Sequence, residues 1–204
     1  FGMVQAKLGE MAARLFALES SVYRLAALLD GVFEGIDATS PEAAGQYHRA
    51  SEEYTVECCV VKIVGSELYS WAADEAIQIH GGNGYTEEFP VARAWRDQRL
   101  LRIGEGANEI VRLALINTVL RRGKAGRIDL AAALKAASEL NESSLPSRIL
   151  DDELPGRLKT AALILLDLSM KGFGDQLSEE QEVCGAIADV ICSAFMAESA
   201  WNRA

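Results

Sequence analysis

Two short stretches of this sequence set polar side chains against glycine. In Gly104-Glu105-Gly106 a lone carboxylate stands between two glycines, on a backbone that another molecule can approach closely and with open space beside the side chain. The same triplet also reads as a solvated turn with a Glu near a helix N-terminus, where the helix dipole favours it. In Gln78-Ile79-His80-Gly81-Gly82-Asn83-Gly84 a helical pattern runs into glycines whose bare backbone could cradle a ligand, or that simply cap the helix. A helix C-terminus is the wrong end for phosphate, so this run is no analogue of a P-loop. Arg96-Asp97 reads either as a functional pair or as an ion pair at a helix end. Metal chemistry is not expected. The four cysteines, Cys58, Cys59, Cys184 and Cys192, form no CxxC pair, and only His48 and His80 are at hand to complete a shell. Cys58 and Cys59 sit in an apolar run and read as small buried hydrophobes, which points to a reducing intracellular compartment, such as a bacterial cytoplasm.

Helices must position these groups. From Met3 to Phe33, Val4, Leu8, Met11, Leu15, Leu18, Val22, Leu25 and Leu29 recur at spacings of three and four, one stripe of a long helix. Ser40-Pro41 marks the start of the next, which the pattern carries to about Ile79. Two such helices joined by a short break lie antiparallel. His80 to Pro90, with three glycines and a proline, is expected to be a structured loop. An amphipathic turn from Val91 to Asp97 leads to Glu105, and a helix from Ala107 to Leu120 is ended by Arg121-Arg122-Gly123. Beyond Gly126 an Ala-rich helix is expected from Ile128 to Leu140, then a polar stretch from Asn141 to Pro155. Helices of about Gly156 to Lys171 and Ser178 to Trp201 follow, the last opened by the capping box Ser178-x-x-Gln181. The expected fold is all-α: an antiparallel helical bundle over residues 1–122 and a smaller helical extension over 127–204.

With 204 residues, half of them hydrophobic, the chain can bury a substantial core. Its net charge of -10 speaks against a nucleic-acid surface. No run of about 18 uninterrupted apolar residues suggests a membrane span. The stripe Leu163, Leu166, Met170 could face lipid, but Glu142, Asp151, Asp152 and Glu153 nearby make a poor surface for anionic lipid, so helix packing is the expectation and membrane association is not supported. Phe1-Gly2-Met3 runs into a helical pattern without an N-cap, as in a piece of a longer chain.

Taken together, Ile77 to Gly84, then Pro90, Arg96-Asp97, Glu105-Gly106 and Arg112-Leu113 closely resemble the signature that closes acyl-CoA dehydrogenases, an apolar Q-I-x-G-G-x-G-F/Y followed by R-D and Y/F-E-G-T. Residues 1 to about 122 resemble the family's C-terminal helical domain, and the stretch after Gly126 resembles the extra helical domain of the very-long-chain branch. The resemblance implies an acyl-CoA substrate, FAD as cofactor, an electron-transfer flavoprotein as acceptor, a homodimer, and α,β-dehydrogenation to the trans-2-enoyl-CoA in fatty-acid β-oxidation. It makes Glu105 the catalytic base, whose backbone N–H helps hold the thioester carbonyl, with Gly106 letting the thioester lie against the chain. Gln78, Ile79, His80, Gly81 and Gly82 match positions that contact the adenosine side of FAD, often that of the neighbouring subunit. Ala107, Asn108 and Glu109 match the flavin-contacting stretch after the base.

Two positions depart from the pattern. Ala107 replaces the usual Thr and removes a hydroxyl, and Gly104 replaces an aromatic that closes part of the acyl pocket, leaving room for a longer or bulkier chain. These departures keep open a non-catalytic dimerisation module of the same fold, and an acyl-CoA oxidase-like flavoenzyme shares the signature. The chain by itself, lacking the family's preceding helical and β-domains, is expected to be inactive.

Overall fold

The computed structural model describes residues 1–139 and 154–204. Its helices are α1 (Gly2–Phe33), α2 (Ala43–Glu52), α3 (Thr55–His80), α4 (Gly82–Tyr85), α5 (Pro90–Leu101), α6 (Asn108–Lys124), α7 (Leu130–Ser138), α8 (Leu154–Phe173) and α9 (Gln181–Arg203), with a 3-10 turn over Gly174–Glu179 before α9. There is no strand among the described residues, so the all-α expectation holds. Most of the polar stretch from Asn141 to Pro155 lies outside them.

The core forms where α3, α6 and α9 meet. Val60 and Ile63 of α3, Leu115 and Ile116 of α6, and Cys184, Ile187, Ala188 and Cys192 of α9 are buried against Leu166 of α8 and Leu130 and Leu134 of α7. Leu163 and Met170 pack onto the same cluster, so this stripe of α8 serves helix packing. α9 is long and apolar enough to cross a membrane by length and composition. Here it lies against α1, α3, α6 and α8, which explains why so much of it is apolar.

Helix α1 shows how a sequence stripe divides. Its apolar positions form two lines four residues apart. Leu25 of the first is buried and Val4, Met11 and Leu18 are half-buried, whereas Leu8, Leu15 and Val22 of the second are exposed. The buried positions between are serines: Ser20 and Ser21 are small enough to bring α1 close to α9, where the Ser21 hydroxyl donates to Met196 Sδ at 3.0 Å. Arg24–Glu198 at 2.7 Å and Arg203–Glu19 at 2.6 Å close the same contact.

Several expected boundaries move, each for a local reason. The helix expected from Ser40 to Ile79 breaks at Glu53-Tyr54. There Thr55 Oγ1 donates to the Glu52 carbonyl at 2.7 Å, and the buried Arg122 guanidinium of α6 donates to that same carbonyl, replacing the helix's own bonds. Ser40 does not cap a helix begun at Pro41. Its hydroxyl accepts from the Glu42 amide at 3.2 Å in a turn that precedes α2. The expected loop after His80 contains the helical turn α4, and the expected short turn at Val91 is the three-turn α5, begun by Pro90. Gly123 does not end α6. It lies inside the helix, where a Cβ would meet Leu130 Cδ2 at 2.7 Å, so its role is the close entry of α7. Ser178 forms no capping box, because the 3-10 turn that buries Leu177 runs on to Glu179, and α9 starts without a side-chain cap. Cys58 is exposed, whereas Cys184 and Cys192 are buried.

Candidate active site

Glu105 sits in the six-residue reversal between α5 and α6. The reversal is closed at both ends by backbone: the Gly104 amide donates to Leu100 O at 2.7 Å, and the Asn108 amide donates to Arg102 O at 3.1 Å. With both ends fixed, the chain must turn sharply between them. Glu105 takes φ 56° and Gly106 φ 93°, and Glu105 is the only non-glycine at positive φ among the described residues. That conformation costs an L side chain about 1 kcal/mol or more, and it persists only where the surroundings impose it. Here they present a carboxylate outward, since Glu105 is exposed.

Beside it lies an open concavity of about 470 Å³, with Val61, Leu100 and Leu101 as its apolar wall and Lys62, Gly104 and Glu105 at its polar edge. Leu100, Leu101, Ile103 and Ile110 are all exposed around the turn, so a carboxylate is ringed by apolar surface. Gly104 is not demanded by the backbone. A Cβ there would meet nothing nearer than Leu100 O at 3.4 Å, so the effect of this glycine is to widen the concavity.

The floor is a polar network. Lys62 Nζ donates to Gly106 O at 2.5 Å and to Asn108 Oδ1 at 2.6 Å. Asn108 is only 1% exposed, and its Nδ2 donates to Ser66 Oγ at 2.9 Å and to Glu67 Oε1 at 3.0 Å. Arg112 grips both oxygens of Glu67, at 2.8 and 3.0 Å, and reaches Asp189 of α9 at 2.7 Å. Burial pushes the Glu67 carboxyl up, but the Arg112 guanidinium and the Asn108 amide outweigh it and hold the group below the usual carboxylate range. Its hydrogen bond to Glu67 raises Arg112 further, against the opposing effect of burial.

The residues singled out by sequence fall into two groups. Gly104, Glu105, Gly106, Ala107, Asn108 and Glu109 share the reversal and the start of α6. Within this group Glu109 is exposed and Ala107 half-buried, while the Asn108 side chain turns inward and is fully engaged. Gln78, Ile79, His80, Gly81 and Gly82 lie at the far end of α3. The 16 residues from Lys62 to Gln78 span roughly 24 Å of helix. Gln78, His80, Gly81 and Gly82 are exposed, and a Cβ on Gly81 or Gly82 would meet nothing within 4 Å, so this face is open to a ligand. Gly84 beneath them is compulsory, because a Cβ would lie 2.6 Å from Ile77 O. Arg96 and Asp97 do not pair with each other. Asp97 accepts from Arg93 at 3.3 Å, and Arg96 lies 3.6 Å from Glu87, all at the surface. Lys62, Ser66, Glu67 and Asp189 were not marked by sequence reading. The signal available for the first two was a lysine and a serine one helical turn apart in an otherwise apolar run, Val60 to Ser66. No cluster of potential metal ligands occurs among the described residues.

A family model described as acyl-CoA dehydrogenase, C-terminal domain, matches residues 1–120, and a second model of the same description matches residues 157–204. The "Probable acyl-CoA dehydrogenase" of Bacillus subtilis (strain 168) is 35% identical over 209 residues, covering all of this chain and 35% of that protein. The mitochondrial very long-chain specific acyl-CoA dehydrogenase of Bos taurus is 36% identical over 113 residues, 55% of this chain and 14% of that protein. The crystal structure of an acyl-CoA dehydrogenase complexed with FAD from Bacillus anthracis superposes with a TM-score of 0.91 at 33% identity, covering all of this chain and 36% of that one. The chain thus spans about a third of the length of these two bacterial relatives.

Proposed function

This chain belongs to the acyl-CoA dehydrogenase family, and from that premise we propose that it is the C-terminal part of an FAD-dependent enzyme that converts a long-chain acyl-CoA to the trans-2-enoyl-CoA in fatty-acid β-oxidation, with Glu105 as its base. The observation that carries the proposal is the exposed Glu105 carboxylate, held on left-handed backbone beside an apolar concavity. The α-hydrogen of an acyl thioester is weakly acidic, and a carboxylate fixed beside the α-carbon removes it as a proton. Bound FAD supplies the acceptor for the hydride that leaves the β-carbon. The Glu105 amide donates to the thioester carbonyl as charge builds on it, and Gly106 admits the thioester without a Cβ in the way. The apolar wall of Val61, Leu100 and Leu101 suits an acyl chain and excludes water from the carboxylate once covered.

The separation of roughly 24 Å along α3 between Lys62 and Gln78 supports a second element of the reading. In a homodimer, Glu105, Gly104 and Gly106 serve one site, while Gln78, Ile79, His80, Gly81 and Gly82 hold the adenosine side of the flavin in the other. Their exposed polar side chains and open backbone fit that group. Ala107 and Glu109 face the near flavin, with Asn108 beneath them as support. Residues 1–122 form the dehydrogenase bundle, and residues 127–204 form the added helical unit that braces it. Electrons pass to an electron-transfer flavoprotein, the site of action is a reducing intracellular compartment, and the chain alone is inactive.

The test is product formation by the full-length protein. Incubation with palmitoyl-CoA and an electron acceptor is expected to yield trans-2-enoyl-CoA, and Glu105→Gln to lower the rate by roughly a hundred- to ten-thousandfold while flavin stays bound. Unchanged turnover in that variant would remove Glu105 from the chemistry.

A further inference from the structure

We propose that Lys62 is a positioning residue for the base: its ammonium group holds the Gly106 carbonyl and thereby fixes the reversed backbone that presents the Glu105 carboxylate. The inference rests on the reading of Glu105 as base. Lys62 is half-buried on α3, and its Nζ donates to two neutral acceptors, Gly106 O at 2.5 Å and Asn108 Oδ1 at 2.6 Å. Among the described residues no carboxylate lies within ion-pairing distance of it, although the chain carries 30 acidic side chains. A lysine kept for solubility or for a surface bridge would not stand in this way.

Both acceptors lie at the C-terminal side of the turn: Gly106 is itself one of the two residues at positive φ, and Asn108 follows it two residues on. Gly106 O belongs to the residue that follows Glu105, so holding it sets the peptide orientation on the C-terminal side of the base. Asn108 provides the fixed end, because its amide nitrogen is held by Ser66 Oγ at 2.9 Å and Glu67 Oε1 at 3.0 Å, and Arg112 anchors Glu67. Lys62 therefore ties the Gly106 carbonyl to a side chain that is itself held by two further hydrogen bonds. A hydrogen bond from a charged donor to a carbonyl is stronger than a neutral one, and a turn that holds a non-glycine residue at φ 56° needs such a constraint. Without it the turn can relax toward ordinary backbone and swing the carboxylate away from the α-carbon, while the bundle beneath stays packed.

The experiment uses the full-length flavoprotein, comparing Lys62→Met, Lys62→Arg and Glu105→Gln with wild type. Flavin content, melting temperature, palmitoyl-CoA affinity and the rate of anaerobic flavin bleaching at saturating palmitoyl-CoA are measured. Lys62→Met is expected to keep its flavin, its melting temperature within a few degrees and its affinity, and to bleach about ten- to hundredfold more slowly, the loss of one charged hydrogen bond. Lys62→Arg, which keeps a cationic donor, is expected to recover most of the rate. Lys62→Met bleaching within twofold of wild type overturns the proposal, as does Lys62→Arg bleaching no faster than Lys62→Met. Should Lys62→Met fail to give folded yellow protein, Lys62→Gln is judged by the same criteria. Glu105→Gln separates the two ideas: if it bleaches at the wild-type rate, the reading of the base fails, whatever the lysine variants do.

Discussion

At the scale of single residues, the chemistry lies in backbone shape as much as in side-chain identity. A glutamate between glycines is commonplace, but one at φ 56° is not. The motif pointed to Glu105 by resemblance; its left-handed conformation could not be read from the triplet, because the turn is closed by bonds from the Gly104 and Asn108 amides to Leu100 O and Arg102 O. Asn108 was legible as a site position but not as an inward-facing strut, since inward or outward is decided by α3. Gly104 yields a prediction of its own. A Cβ there meets only ordinary contacts, so Gly104→Tyr is expected to fold, to narrow the concavity and to shift the preferred substrate toward shorter acyl chains. Assaying the variant across a series of chain lengths checks this, and an unchanged preference would mean that the acyl chain does not pass Gly104.

At the scale of helices, periodicity placed the long elements and failed at their ends. α1 is foreseen by its apolar spacing, because burial of a face is what that spacing encodes, whereas α3, α6, α8 and α9 are foreseen from start and stop signals, α3 only as the later part of one longer helix. The breaks were decided by partners far away in sequence. Arg122 of α6 interrupts the second expected helix at Glu52, and Leu130 explains a glycine that looked like a stop signal. The inner line of α1 was legible, but its outer line, Leu8, Leu15 and Val22, remains exposed because α3 and α9 pack against the other side of the helix. α6 begins at an N-cap alanine, Ala107, with extended φ and ψ of -56° and 143° and no side-chain acceptor. Threonine suits that backbone and accepts from the first free amides of the helix. Ala107→Thr is therefore expected to stabilise the protein by about 1 kcal/mol, a rise in melting temperature of roughly 2–4 °C. Calorimetry checks this; a fall in melting temperature would show that the new methyl group is not accommodated.

At the scale of the molecule, carboxylates tie the last helix to the rest. Glu67 bridges to Arg112, which also holds Asp189 of α9, and Glu198 of α9 is held by Arg24 of α1 and Lys159 of α8. Burial pushes both carboxyls up, but their cationic partners outweigh it and leave both below the usual range. A carboxylate depressed in the folded state stabilises it at pH above the unfolded value and loses that contribution as pH falls through the folded one. The contribution of these two groups is thus complete at neutral pH and is lost progressively as pH falls below about 4.5, the ordinary glutamate value, toward the lower folded values. Urea midpoints measured from pH 7 to 3 are expected to fall in that acid window, and to fall less in Glu67→Gln, which starts lower. A midpoint that rose with acid would contradict the assignment. The proposed chemistry of the whole molecule turns on Glu105. The most direct test adds palmitoyl-CoA anaerobically to the full-length protein and to its Glu105→Gln variant and follows the flavin absorbance. The wild type is expected to bleach and the variant to stay yellow with substrate bound; a variant that bleaches as fast as the wild type would remove Glu105 as the base.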